Sequence, residues 1–80
     1  MPRYFFDMAN STRDIDEEGT ELASADDARV QAVVFAGDYL RDQPGLVWDG
    51  GQFAVAVRDE AGRVLLNVVV TATDPADGSL

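Results

Sequence analysis

The residues of this chain that could do chemistry are mostly carboxylates, and many of them lie in one segment. The acidic residues of segment 14–21 are Asp14, Asp16, Glu17, Glu18 and Glu21. Residues 14–19 match the first half of a calcium-binding loop, which has oxygen ligands at its first, third and fifth positions and glycine at its sixth. The match fails at the twelfth position, where Ala25 replaces a bidentate glutamate. We therefore expect a solvated turn, with Asp14, Asp16 and Glu18 as the candidate ligands if a divalent metal does bind.

Two other carboxylate pairs have the residue types that general acid–base catalysis uses: Asp7 with Asp16, and Asp59 with Glu60. Enzymes of that kind need a deep substrate cleft, and 80 residues around one helix leave little volume for it. The chain has no histidine and no cysteine, which excludes hydrolase triads, zinc sites and haem ligation. We expect no catalytic activity and no cofactor. The alternative left open is a metal-binding domain or small enzyme that uses segment 14–21.

The charge balance bears on partners and location. The chain has 15 acidic and 6 basic residues, for a formal net charge of −9, so it has little with which to neutralise a phosphate backbone. The N-terminal apolar run is interrupted at Asp7, which is too early for a secretory signal, and no stretch reaches the length of a membrane span. We expect a cytoplasmic protein that binds neither nucleic acid nor a membrane.

The middle of the chain is predicted to form one long helix. Ser24 is a good N-cap, and the helix ends near Asp42 because the residue before Pro44 is biased out of the helical region. Val30 and Val34 fall on the side opposite to the main apolar stripe. The stripe consists of Ala25, Ala28, Ala32, Phe35, Ala36, Tyr39 and Leu40.

Alternation of apolar and polar residues predicts four strands, over residues 3–8, 13–16, 52–58 and 63–71. Tyr4, Phe6 and Met8 share one face of the first. The last two form a hairpin with Gly62 at the left-handed position of its turn. If Asp59 faces Arg63, one hairpin face carries Phe53, Val55, Val57, Leu65, Asn67 and Val69. The other face then carries Ala54, Ala56, Arg58, Val64, Leu66, Val68 and Val70.

These elements predict an α+β fold of β-β-α-β-β order, with an antiparallel-rich sheet of about four strands and one helix on one face. We expect residues 1–72 to form a single domain and residues 73–80 to be a flexible tail. The first and last strands are the most apolar, so we place them centrally. The predicted strand order is therefore 2-1-4-3, with the four strands numbered along the chain.

A helix can cover only one face of this sheet, so the uncovered apolar face predicts a homodimer or the docking of a protein partner. The predicted interface consists of Phe5, Ala54, Ala56, Val64, Leu66, Val68 and Val70. An alternative interface uses Val30 and Val34 of the helix. Trp48, in the loop after the helix, is either an interface anchor or part of the core.

Four stretches of the chain together resemble a known family. They are Pro-Arg-Tyr-Phe-Phe at 2–6, Asp-Glu-Glu-Gly at 16–19, the alanine-rich helix, and Asp-Glu-Ala-Gly-Arg-Val-Leu at 59–65. The family consists of short bacterial proteins described only as a domain of unknown function, and the resemblance covers residues 2–70. It implies a β-β-α-β-β unit and no known activity, cofactor or catalytic residue. Family members often have histidine where this chain has Asp7, so any role of that histidine would not transfer.

Overall fold

The computed structural model describes residues 2–10, 13–47 and 52–72, and in them one α-helix packs on a five-stranded antiparallel sheet. The α+β prediction is confirmed, with one strand more than expected. Trp48 and the predicted tail, residues 73–80, lie outside the described residues. The elements are β1 (Arg3–Ala9), β2 (Arg13–Asp14), β3 (Thr20–Glu21), α1 (Ala25–Asp42), a 3₁₀ helix (Pro44–Val47), β4 (Gln52–Arg58) and β5 (Val64–Thr71).

The strand order is β2-β1-β4-β5, and β3 also pairs with β1. The predicted order, which placed the last strand beside the first, was wrong. β1 and β4 are the two central strands, and Phe53, Val55 and Val57 are all fully buried on the inner face of β4. β5 lies at the edge of the sheet although it is the most apolar strand. Apolar content therefore does not identify the central strand here, because the position of a strand depends on which strands pair and not on its composition alone.

α1 lies across one face of the sheet. Ser24 caps it as predicted, since its hydroxyl accepts a hydrogen bond of 3.2 Å from the Asp27 N–H group. The predicted stripe faces the sheet, and Val30 and Val34 are exposed on the opposite side. Alanine at the contact positions lets the helix approach the strands closely. The buried core consists of Tyr4, Phe6, Ala28, Ala32, Ala36, Phe53, Val55 and Val57.

The turn of the β4–β5 hairpin matches the prediction. The Asp59 N–H group donates to the Arg63 carbonyl oxygen at 3.0 Å, and Gly62 has a φ of +85°. The carboxylate of Asp59 also accepts the N–H groups of Ala61 and Arg63, each at 2.9 Å. The turn is therefore built locally, by groups within five residues of one another.

The register beyond that turn differs from the prediction. Val57 pairs with Leu66 but Arg58 pairs with Val64, so Leu65 is an extra residue in a β-bulge. One inserted residue moves every later side chain to the other face of the strand. Leu66, Val68 and Val70 therefore lie on the helix side, opposite Val57, Val55 and Phe53 respectively. Asn67 and Val69, which we expected there, lie on the outer face of the sheet with Ala54, Ala56 and Val64.

Candidate functional site

The acidic segment forms an interrupted edge along β1. β2 pairs with the end of β1 and β3 with its beginning, and residues 15–19 leave the ladder between them. The sequence predicted one strand over 13–16, and this was too long by two residues. The Asp16 side chain takes the place of the missing strand, because its Oδ2 atom accepts the Phe6 backbone N–H group at 3.1 Å.

Asp16 also organises its own turn. Its Oδ1 atom accepts the N–H groups of Glu18 and Gly19, at 3.1 and 3.0 Å. Burial by itself raises the pKa of Asp16, but the three backbone hydrogen bonds, from Gly19, Phe6 and Glu18, outweigh it and hold that pKa below its ordinary value. Both carboxylate oxygens are thus occupied by the chain's own backbone. Asp16 acts as a structural acceptor between β1 and the turn.

An ion pair joins the two central strands on the outer face of the sheet. Arg58 donates two hydrogen bonds to the Asp7 carboxylate, from Nε at 2.5 Å and from an Nη atom at 3.0 Å. The same Nη group donates to the Asp16 carbonyl oxygen at 3.1 Å, and the Asp16 N–H group donates to Asp7 at 2.9 Å. The guanidinium carbon lies 5.0 Å from the centroid of the Phe5 ring, within cation–π range. The Asp7 side chain is 9% exposed, which makes Asp7 the most buried charged residue among the described residues.

The pKa directions argue against acid–base chemistry by these carboxylates. The hydrogen bond from Arg58 lowers the pKa of Asp7 against the opposing effect of burial. The pKa of Asp59 is also lowered, chiefly by the hydrogen bond from the Arg63 backbone. A general acid near neutral pH needs a raised pKa. The structure brings Asp7 and Asp16 together as the sequence allowed, but as two ionised acceptors.

The three candidate metal ligands line one groove between α1 and the sheet edge, but they do not form a metal-binding group among the described residues. Asp14 lies in β2, Asp16 is used by the backbone, and Glu18 lies in the turn. Within residues 2–10, 13–47 and 52–72, no three carboxylates form a group that could hold a metal ion. The acidic segment is therefore a structural edge in which Asp16 is partly buried and the other four acidic residues, Asp14, Glu17, Glu18 and Glu21, are exposed.

Gly19 closes the turn against β1 and supplies a testable consequence. Its φ is +74°, and a Cβ atom there would lie 2.7 Å from Cγ of Arg3 and 2.9 Å from a ring carbon of Phe5. We expect Gly19→Ala to lower the free energy of unfolding by about 2–3 kcal/mol, from backbone strain and crowding together. Urea unfolding measures it. Gly37→Ala is the control, because Gly37 has open space around it and alanine is the better helix former, so it should stabilise by about 0.5–1 kcal/mol. Equal effects of the two changes would contradict the role of Gly19.

The opposite edge of the sheet is β5, and it differs from the β1 edge in strand length and in charge. β5 has eight residues, no charge and no proline, and among the described residues it pairs with β4 alone. The other edge has strands of two residues separated by a charged turn. Short strands, charges and proline are the usual means by which proteins block the pairing of a sheet edge with another chain. β5 uses only the bulge at Leu65, near its beginning.

The predicted interface residues are divided between two faces. Phe5, Ala54, Ala56 and Val64 lie on the outer face as expected, but Phe5 is partly covered by Arg58. Leu66, Val68 and Val70 lie on the helix side, where Leu66 and Val68 pack against the core. Val64 and Val69 are each 52% exposed. The outer face is thus less apolar than the sequence predicted. Four of the seven predicted interface residues belong to the edge strand β5.

Sequence reasoning missed the Asp7–Arg58 pair because its partners are 51 residues apart. A signal was present in the alternation, which places Asp7 and Arg58 on the polar faces of two strands. This alternation predicts the ion pair only once β1 and β4 are known to be neighbours, with Phe5 opposite Arg58 and Asp7 opposite Ala56.

The fold and these surfaces define a class: a small α+β domain with a helix on one face of an antiparallel sheet, one protected edge, and one edge that is unpaired among the described residues. Within the described residues, no helix has the length and apolar character needed to cross a membrane. A family model described as a domain of unknown function, DUF6894, matches residues 3–71, so the chain belongs to the DUF6894 family. A comparison with curated proteins found no match, and neither did a comparison with solved structures.

Proposed function

We propose that this domain is a protein-binding module that self-associates, and that two copies pair through β5 to form one continuous sheet. The observation that carries the proposal is the edge of β5, which has no strand paired to it within residues 2–10, 13–47 and 52–72. In an antiparallel ladder, about half of the backbone N–H and C=O groups of an edge strand point away from its neighbour. A second β5 running antiparallel can satisfy them, as in the addition of a strand to a sheet edge.

Charge favours β5 over other surfaces for contact between two copies. Two chains of net charge −9 repel each other, but β5 carries no ionisable side chain. Pairing there brings no like charges directly opposite one another. An antiparallel strand pair also has two-fold symmetry, the commonest symmetry of homodimers. An 80-residue domain gains from such a contact, because a chain of this size buries only about 60% of its unfolded surface by itself.

Val69→Lys tests the proposal. Val69 is exposed on the outer face of β5, so its replacement leaves the core intact and adds one positive charge per copy to the pairing edge. We expect wild type to sediment as a dimer at micromolar concentrations and Val69→Lys to dissociate at least about tenfold more readily.

The matched control is Val33→Lys, which adds the same charge at an exposed position of α1. We expect this variant to stay dimeric. If Val33→Lys dissociates the dimer and Val69→Lys does not, the interface is the exposed helix face that includes Val30 and Val34. A wild type that sediments as a monomer would refute self-association.

No observation favours the alternative of a metal-dependent domain or small enzyme, because Asp16 already accepts backbone hydrogen bonds and the carboxylates of segment 14–21 form no group of three that could hold a metal ion within the described residues. The cytoplasmic location, and the expectation that the chain does not bind nucleic acid, stay predictions.

A further inference from the structure

A groove runs between α1 and the protected edge of the sheet, away from β5. Its main section has a volume of about 490 Å³ and lies between the aromatic residues of α1 and the segment from β2 to β3. Two smaller sections, of about 310 and 260 Å³, continue it along α1 and share Tyr39 with the first. Tyr39 therefore lines all three sections.

The floor and one wall of this groove are aromatic. The Phe6 and Phe35 rings meet edge to face with centroids 4.9 Å apart. Tyr39 stacks on Phe53 at 5.8 Å and is 38% exposed. Three of these rings, those of Phe6, Phe35 and Tyr39, line the main section. Aromatic faces and edges fixed by core contacts in this way offer a rigid apolar platform to a ligand.

The other wall is acidic. Asp14 is opposite Met8 in the ladder, which places its side chain on the helix side of the sheet, and Glu18 lines the same section. Within the described part of the chain, the carboxylates of Asp14 and Glu18 have no hydrogen-bond or ion-pair partner. Among the described residues that line the three sections, none is a lysine or an arginine. The groove thus combines aromatic rings with uncompensated negative charge.

We propose that this groove binds an arginine side chain presented by an extended segment of a basic partner protein. A guanidinium group is planar and weakly hydrated, so it can lie against aromatic rings and also form hydrogen bonds with a carboxylate. Neither an apolar nor an acidic segment fits, because each would desolvate Asp14 and Glu18 without compensation. The net charge of −9 draws a basic partner toward the domain at long range. This site lies at the sheet edge opposite to β5, so the proposal does not depend on self-association.

The test measures binding of a fluorescein-labelled peptide, Gly-Gly-Arg-Arg-Gly-Gly, by fluorescence anisotropy at low ionic strength. The groove variant is Asp14→Asn/Glu18→Gln, which keeps side-chain shape and removes two charges. The control is Glu17→Gln/Glu60→Gln, which removes the same charge from exposed residues that are not among those lining the groove. We expect the groove variant to bind about fivefold to thirtyfold more weakly, and the control to change by less than about twofold.

A second variant tests the aromatic contact. Tyr39→Leu keeps an apolar side chain over Phe53 but removes the ring. We expect it to weaken binding of the arginine peptide about threefold to tenfold, while circular dichroism shows an intact fold. Equal weakening by the groove variant and the charge control would show that net charge alone attracts the peptide, and would overturn the proposal. The absence of peptide binding to wild type would overturn it as well.

Discussion

Removal of Asp7 alone should destabilise this domain far more than removal of both Asp7 and Arg58. Asp7→Ala leaves a guanidinium on the outer face without its bidentate partner, and we expect a loss of about 2–4 kcal/mol in the free energy of unfolding. Since a domain of this size has about 4–12 kcal/mol in total, that loss is severe. Asp7→Leu/Arg58→Met replaces the pair with apolar groups, and we expect it to cost only about 1–2 kcal/mol, mostly for the Asp16 N–H group that loses its acceptor.

Chemical denaturation of both variants gives these free energies. The matched control is Asp26→Ala, which breaks the exposed Asp26–Arg29 pair at 2.9 Å and should cost less than about 1 kcal/mol. If Asp7→Ala is as stable as Asp7→Leu/Arg58→Met, or more stable, the proposed role of the Asp7–Arg58 pair is contradicted.

The same pair gives a pH dependence. The pKa of Asp7 is lower in the folded chain than its ordinary value of 3.8. The ionised Asp7 therefore contributes fully to the free energy of unfolding above pH 3.8, and this contribution declines as the pH falls below that value. In Asp7→Leu/Arg58→Met this contribution is absent, so the free energy of unfolding should decline less than that of wild type as the pH falls.

The second large effect should come from Asp16. Asp16→Ala removes the acceptor of three backbone N–H groups, those of Phe6, Glu18 and Gly19, and we expect a loss of about 2–4 kcal/mol. Asp16→Asn keeps one oxygen, and we expect about half of that loss. Urea unfolding measures both.

Amide hydrogen exchange at Phe6 provides an independent readout, because this N–H group binds the Asp16 side chain. It should exchange faster in Asp16→Ala even where the rest of β1 stays protected. Glu17→Ala is the control, an exposed neighbour whose loss should change stability by less than about 0.5 kcal/mol. If the two variants lose the same stability, Asp16 does not hold β1 to the turn.

These two effects have different origins in the chain. Asp16 acts partly on residues two and three positions away, and its Asp-Glu-Glu-Gly context already predicted a turn. Its contact with Phe6 joins residues ten positions apart and depends on how β2 and β3 flank β1. Asp7 and Arg58 meet only because β1 and β4 are neighbours.

The sequence by itself determined the elements whose causes are local. A cap at Ser24 and a proline after Asp42 define α1, its alanine stripe defines the buried side, and Gly62 defines the hairpin turn. Each of these depends on groups within a few residues, so spacing reports it directly.

Only the tertiary structure decided the strand order, the register of β5 and the composition of the groove. The order depends on which strands pair over long distances, and apolar content alone misplaced β5. The register depends on one bulged residue, Leu65, which a period of two cannot reveal because residues on either side of the bulge still alternate. Tyr39 and Asp14 line the same groove, and no spacing along the chain predicts this, because it arises from how α1 packs across the sheet.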